Sequence, residues 1–212
     1  MRGNLVITLF IDTSTEYLTV ALIKDDKVLK VSTMSSSEHS KYAMIEIEKL
    51  FNDTDIDRRS VNKIMVTNGP GSFTGIRIGV TIAKTYAWAC NINVIPISTL
   101  KAYALSYDGY NYYVPYIDAR RGYVYAAIYD KDYNEVLNDS YISLEDLLNR
   151  CEELTNIAFI GKSGKDEILP NKLNILSIYN YYKEEKGITP HALVPNYLKK
   201  TEAEEKFGDI ND

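Results

Sequence analysis

Histidine is nearly missing from these 212 residues. The two that occur, His39 and His191, lie far apart, so no H-x-x-x-H or H-E-x-x-H metal pair exists anywhere in the chain. Cysteine is equally scarce. Cys90 and Cys151 form no C-x-x-C pair and neither stands beside a histidine, which reads as two reduced structural thiols. Without a Ser/His/Asp set in motif context, nucleophilic catalysis has no visible carrier. The nucleotide-binding G-x-x-x-x-G-K-[ST] is absent too: Gly161-Lys162-Ser163-Gly164 comes near it, but Asn156 stands where the first glycine belongs.

Long apolar runs are also lacking. Leu5 to Ile11 is interrupted by Thr8 and ended by Asp12, too short for a signal peptide or a membrane span. The expectation is a cytoplasmic chain with no membrane contact and no cofactor. Positive charge is not in excess either. A net charge of −5 without a Lys/Arg-rich face speaks against tight, direct nucleic-acid binding by this chain alone, because such affinity depends on neutralising several phosphates.

What is present suits an ordinary folded protein. Apolar residues are 45% and charged residues 25%, enough to bury a core in one domain or in two lobes of about 100 residues each. The eighteen tyrosines scatter without a stacking motif. Leu5 to Ile11 reads as a buried strand entering the polar turn Asp12-Thr13-Ser14-Thr15. Tyr17 to Lys24 then pairs with Lys27 to Thr33 across Asp25-Asp26, which makes three antiparallel strands.

Helical spacing follows over Ser40 to Asn52, where Ala43, Ile47, Leu50 and Phe51 share a face and Met44 and Ile45 form a second apolar edge. Val61 to Thr67 reads as a strand, Asn68 to Thr74 as a tight loop, and Gly75 to Cys90 as a helix. In that helix Gly75, Gly79, Ala83 and Ala87 recur every four residues, with Ile76, Ile78, Val80, Ile82, Tyr86 and Trp88 on the remaining faces. A helix so apolar needs cover on nearly every side. Its small-residue stripe invites close approach by another helix, and in so small a chain one cover can be another protein.

The sequence also repeats coarsely. A shift of 106 places Ile11-Asp12 on Ile117-Asp118, Tyr17 on Tyr123, Ala21 on Ala127 and Asp26 on Asp132. Each half runs meander, helix, strand, glycine loop. The expected fold is α/β, with two ribonuclease-H-like lobes of the actin/Hsp70/sugar-kinase type. The expected division is 1–100 for the first lobe, carrying the two long helices, and 101–212 for the second, whose last helix is free to pack back on the first.

Three segments are candidate binding elements. Asp12 and Ser14 at the end of the first strand read either as a phosphate loop or as an Asx turn closing a hairpin. Gly69, Gly71, Ser72 and Thr74 belong to a sharp glycine-proline-glycine turn that aims amides toward the interlobe cleft, where Asp118 closes the set as a remnant anion or nucleotide site. Asp118-Ala119-Arg120-Arg121-Gly122 is either a charged hairpin turn or an anion or partner contact, for which arginine offers bidentate geometry.

Together, Ile11-Asp12-Thr13-Ser14, Glu38-His39-Ser40, Gly69 to Gly79, Pro96 to Leu100, Asp118 to Gly122 and Tyr197 to Lys200 resemble the TsaB family, bacterial proteins of tRNA threonylcarbamoyladenosine biosynthesis. The resemblance spans nearly the whole chain, and the glycine-proline-glycine segment is its most specific part. It implies a non-catalytic partner of the related transferase TsaD and of the ATPase TsaE, meeting tRNA only through that complex. The transferase's metal-binding histidine pair falls here on Thr99 and Tyr103, neither of which supplies an imidazole. The family also pairs through its first two helices, so Ala43, Ile47, Leu50, Ile76, Gly79, Ile82, Ala83 and Tyr86 are the candidate partner surface, in a homodimer when TsaD is absent. The alternatives are a small ATP-dependent kinase with Asp12 and Asp118 flanking its cleft, which is short for that class, and a peptidase, which lacks its nucleophile or metal.

Overall fold

A computed structural model describes residues 5–162 and 168–199. Strands β1 (Ile7–Asp12), β2 (Tyr17–Lys24) and β3 (Lys27–Ser35) form the antiparallel meander, with Asp25 and Asp26 both left-handed in the two-residue turn. Helix α1 (His39–Thr54), β4 (Lys63–Gly69), α2 (Phe73–Cys90) and β5 (Val94–Ser98) complete a first sheet ordered β3-β2-β1-β4-β5, in which β4 runs parallel to β1 and β5 parallel to β4.

After the short helix α3 (Thr99–Ala104), the pattern recurs. Strands β6 (Tyr112–Asp118), β7 (Tyr123–Asp130) and β8 (Glu135–Ser143), helix α4 (Leu144–Cys151), β9 (Ile157–Ile160) and β10 (Ile168–Leu169) form a second sheet ordered β10-β9-β6-β7-β8. Read from its other edge, this is the order of the first sheet. The copies differ in one place: only seven positions, 161–167, separate β9 from β10, too few for a counterpart of the 18-residue α2.

Alternation along β1 explains its unbroken hydrophobicity. Ile7, Leu9 and Ile11 face a core closed by α1 and α2, while Phe10 faces a second core on the opposite side of the sheet. That second core is filled from the far end of the chain by Ile175, Ile178, Tyr179 and Tyr182 of helix α5 (Ile175–Tyr182). Conversely, α3 lays Leu100, Tyr103 and Ala104 against Tyr113, Ala127 and Tyr129 of the second sheet. The two sheets thus exchange helices, and α4 covers the outer face of the second sheet with Leu147 and Cys151.

The last described residues strap the two halves together. Ile188 bridges to Val94, Lys84 Nζ donates to the Leu193 carbonyl at 2.9 Å, and the Asn196 amide donates to the Asn68 carbonyl at 2.7 Å. Asn196 Nδ2 then reaches Asp139 on β8 at 3.3 Å, and Tyr197 stacks on Phe73 at the start of α2. No helix among the described residues is long and apolar enough to cross a membrane.

Candidate functional site

Site geometry begins where the first strand ends. Thr13, Ser14 and Thr15 turn sharply over the start of α2, and the contact is so close that glycine is required beneath it. A Cβ on Gly75 would lie 2.0 Å from the Thr13 carbonyl oxygen, and one on Gly71 2.2 Å from the Ser14 carbonyl oxygen. The Ser72 amide donates to that Ser14 carbonyl at 2.7 Å, and Ser72 Oγ caps α2 by accepting from the Gly75 amide at 3.2 Å. The glycine-proline-glycine turn therefore spends part of its donor capacity on holding two loops together, and helix α2 starts two residues earlier than its spacing suggests.

Asp12 is 1% exposed, and its Oδ1 accepts from the Ser14 amide at 2.9 Å, from Ser14 Oγ at 2.6 Å and from Thr67 Oγ1. Burial pushes its carboxyl above the usual aspartate range, with the Ser14 and Thr67 hydroxyls pulling it back. His39 Nε2 lies 2.7 Å from the Thr15 carbonyl, which can only accept, so Nε2 carries the proton. Nδ1 is buried with no partner among the described residues.

Between the lobes lies a cleft of about 950 Å³. It collects Ser14, Gly71, Ser72 and Thr74 from the first half and Asp118, Arg120 and Lys162 from the second. Arg120, Arg121 and Gly122 are all left-handed, with φ of 70°, 55° and 78°, and the Arg120 amide is held by Asp118 Oδ1 at 2.8 Å. Lys162 pairs with Glu16 at 3.1 Å, linking the halves across the opening.

Two of the residues assigned to the cleft by sequence stand elsewhere. Gly69 backs onto the strap, where an added Cβ would meet the Asn196 carbonyl oxygen at 2.6 Å. Asp12 faces a smaller neighbouring cavity rather than the cleft itself. Ser163 and Gly164, the end of the second glycine loop, and Lys200 lie outside the described residues.

The expected partner surface needs a larger correction. Ala43, Ile47, Leu50, Ile76, Gly79 and Ala83 are all buried in the chain's own core, so none of them is exposed to a partner. The small-residue stripe serves the sheet: a Cβ on Gly79 would lie 2.5 Å from Thr13 Oγ1, with Val66 of β4 close behind. Of the eight candidates only Ile82 and Tyr86 remain half-buried, and Tyr86 stacks on Phe51 and donates to the Arg58 carbonyl. The large apolar residues that α1 and α2 leave exposed are instead Met44, Ile45, Phe73 and Trp88, the last 69% exposed. Cover on nearly every side was expected for α2, and Trp88 contradicts it within this chain.

Thr99 and Tyr103 are both buried in α3 between the lobes, where the Tyr103 hydroxyl reaches Thr15 Oγ1 at 3.5 Å. Burial raises the Tyr103 phenol above its ordinary range, with the nearby Asp12 carboxylate adding to the shift. One feature that sequence reading missed is the buried Lys101, whose Nζ donates to the Tyr133 carbonyl and lies 4.4 Å over the Tyr129 ring. Burial lowers its ammonium below the usual lysine range. A lone lysine in the run Thr99-Leu100-Lys101-Ala102-Tyr103-Ala104 carried no signal of that burial.

Comparison with known proteins places this architecture. Residues 31–185 match the family model described as TsaD, tRNA N6-adenosine threonylcarbamoyltransferase. The TsaB protein of Bacillus subtilis is 34% identical over 94% of this chain and 96% of its own length, and that of Haemophilus influenzae 27% identical over 90% and 92%. The structure of YeaZ from Pseudomonas aeruginosa superposes with a TM-score of 0.73 at 21% identity, over 91% of this chain and all of YeaZ, which shows the shared fold. With two like-ordered sheets exchanging helices across a cleft, the fold is the two-lobed actin/Hsp70/sugar-kinase type, and the chain belongs to the family of TsaB, the tRNA threonylcarbamoyladenosine biosynthesis protein.

Proposed function

We propose that this chain is a non-catalytic subunit in the formation of N6-threonylcarbamoyladenosine in tRNA. It binds and activates the transferase TsaD, with the ATPase TsaE joining the pair. The observation that carries this reading is a whole-length relationship to a TsaB protein, combined with Thr99 and Tyr103 at the positions the resemblance assigns to the transferase's paired histidines. Two hydroxyls in a closed interior offer poor ligands for a transition metal.

Docking uses the outward face of α1 and α2. Met44 and Ile45 on α1 and Trp88 on α2 are large, apolar and exposed, and Ile82 on α2 is half-buried. Tryptophan is enriched among residues that dominate interface energetics, which makes Trp88 the anchor of this surface. In the absence of the transferase the same face pairs two copies of the chain. Nucleic acid is met through the assembly, in keeping with the net charge of −5.

Purified chain and cognate TsaD, run together on a sizing column, test the docking. A complex that forms with the natural chain and is lost with Ile45→Asp plus Trp88→Ala supports the proposed face. A complex that survives both substitutions removes that face from consideration.

A further inference from the structure

Beside the cleft, on the other face of the first sheet's end, lies a second cavity of about 190 Å³ walled by Asp12, Thr15, Thr19, Thr33, Tyr103 and Asn171. Asp12 is more than nine-tenths buried, and while its Oδ1 accepts three hydrogen bonds, its Oδ2 accepts none from a described residue. Oδ2 is therefore the Asp12 oxygen left to a ligand, and a positively charged donor placed against it offsets the cost of burying the carboxylate. An opposite charge comes from the rim: the exposed Lys172 also lines the cavity, its Nζ 5.8 Å from the ring of Tyr107, which lies outside the cavity lining. Hydroxyls fill the space between, with Thr19 Oγ1 and Thr33 Oγ1 3.1 Å apart.

This pattern excludes several ligand classes. A phosphate or nucleotide would set its anion against Asp12. A divalent cation needs several carboxylate or carbonyl oxygens, and no cluster of three or more metal-ligating side chains exists among the described residues. The volume falls well below the ~300–1,000 Å³ of pockets for drug-sized molecules, so the occupant has few heavy atoms.

We propose that the cavity binds a small polar α-amino acid. Its ammonium donates to Asp12 Oδ2, its carboxylate accepts from Lys172 and Asn171, and a side-chain hydroxyl sits among Thr15, Thr19 and Thr33. Charge at both ends separates a zwitterion from a simple amine, a simple acid or a polyol. The inference rests on these residues and not on the proposed role in tRNA modification, so either can fail alone.

Titration calorimetry of the full chain with L-serine and L-threonine, beside ethanolamine, acetate and glycerol, tests it. The expected result is saturable binding of an amino acid, with each single-group compound weaker by about tenfold or more, since a charge-assisted hydrogen bond is worth roughly that factor. Asp12→Asn keeps an oxygen for the three donors and turns an amide toward the cavity, and it and Lys172→Met should each weaken binding by about tenfold or more. Circular dichroism establishes that each variant is folded. If Asp12→Asn does not fold, Thr33→Val at the edge strand β3 replaces it, with affinity for serine falling and affinity for alanine unchanged. No saturable heat with either amino acid at millimolar concentration overturns the proposal. So does ethanolamine or glycerol binding as well as serine, or affinity untouched by the variants.

Discussion

The hydroxyl of Thr13 donates to the carbonyl of Gly75 at 2.7 Å, and this contact fixes the β1–β2 loop against the start of α2. With the Thr13 carbonyl oxygen only 2.0 Å from where a Gly75 Cβ would sit, even one methyl group forces two backbones apart. Gly75→Ala should therefore destabilise the protein by about 1–3 kcal/mol, the range for overpacked interiors. Gly122→Ala, in a turn with nothing within 4 Å of an added Cβ, suffers only from its left-handed φ of 78°. Urea unfolding of the two variants should show the larger loss at Gly75.

Core and surface residues of the same helices should separate cleanly. Leu50→Ala removes a fully buried side chain and should cost about 2–5 kcal/mol. Trp88→Ala should change monomer stability by less than about 0.5 kcal/mol, as exposed positions do, while weakening association by about 2 kcal/mol if Trp88 anchors the partner. Thermal unfolding and binding measurements on the same two proteins check both halves of the statement.

The strap predicts a coupled loss. Tyr197 stacks on Phe73 with ring centroids 4.7 Å apart and accepts from Arg77 Nε at 2.7 Å. Tyr197→Ala removes both contacts and should cost about 1–2 kcal/mol, from one aromatic pair and one charge-assisted hydrogen bond that is partly exposed. Amide exchange should accelerate over residues 188–199 and leave the β1 and β4 amides protected.

Asp12 gives a pH signature. Its folded-state pKa is raised, so the folded protein holds more protons than the unfolded chain above about 3.9, the usual aspartate value. The stability that Asp12 contributes is present below that value and is lost as pH rises through the folded pKa. Asp12→Asn has no such term. The difference in unfolding free energy, variant minus natural chain, should therefore increase from pH 3 upward through the folded pKa and then level off. A flat difference across that range contradicts the assignment.

The repeat was legible because Asp12 and Asp118 both end a central strand whose meander partner begins five residues later, at Tyr17 and Tyr123. The two-residue turn at Asp25-Asp26 was equally local. The partner surface was not. Periodicity identifies which residues of a helix share a side, and both sides of α2 are apolar, so it left the direction of the sheet open. The sheet took the stripe of Gly79 and Ala83, because only small residues admit Thr13 and Val66 so closely. Gly69 was misplaced for a similar reason: its neighbour is Asn196, 127 positions away, and no local pattern reports a contact of that separation. The strap and the buried Lys101 are long-range in the same sense.

The most direct test of the proposed function is reconstituted tRNA modification. Purified TsaD, TsaE and the enzyme that makes threonylcarbamoyl-adenylate are incubated with tRNA, with and without this chain, and the modified adenosine is measured. The account predicts modification that requires the chain, none from the chain alone, and loss when the exposed face of α1 and α2 is altered by Ile45→Asp plus Trp88→Ala. Equal modification in the absence of the chain, or modification by the chain alone, would contradict it.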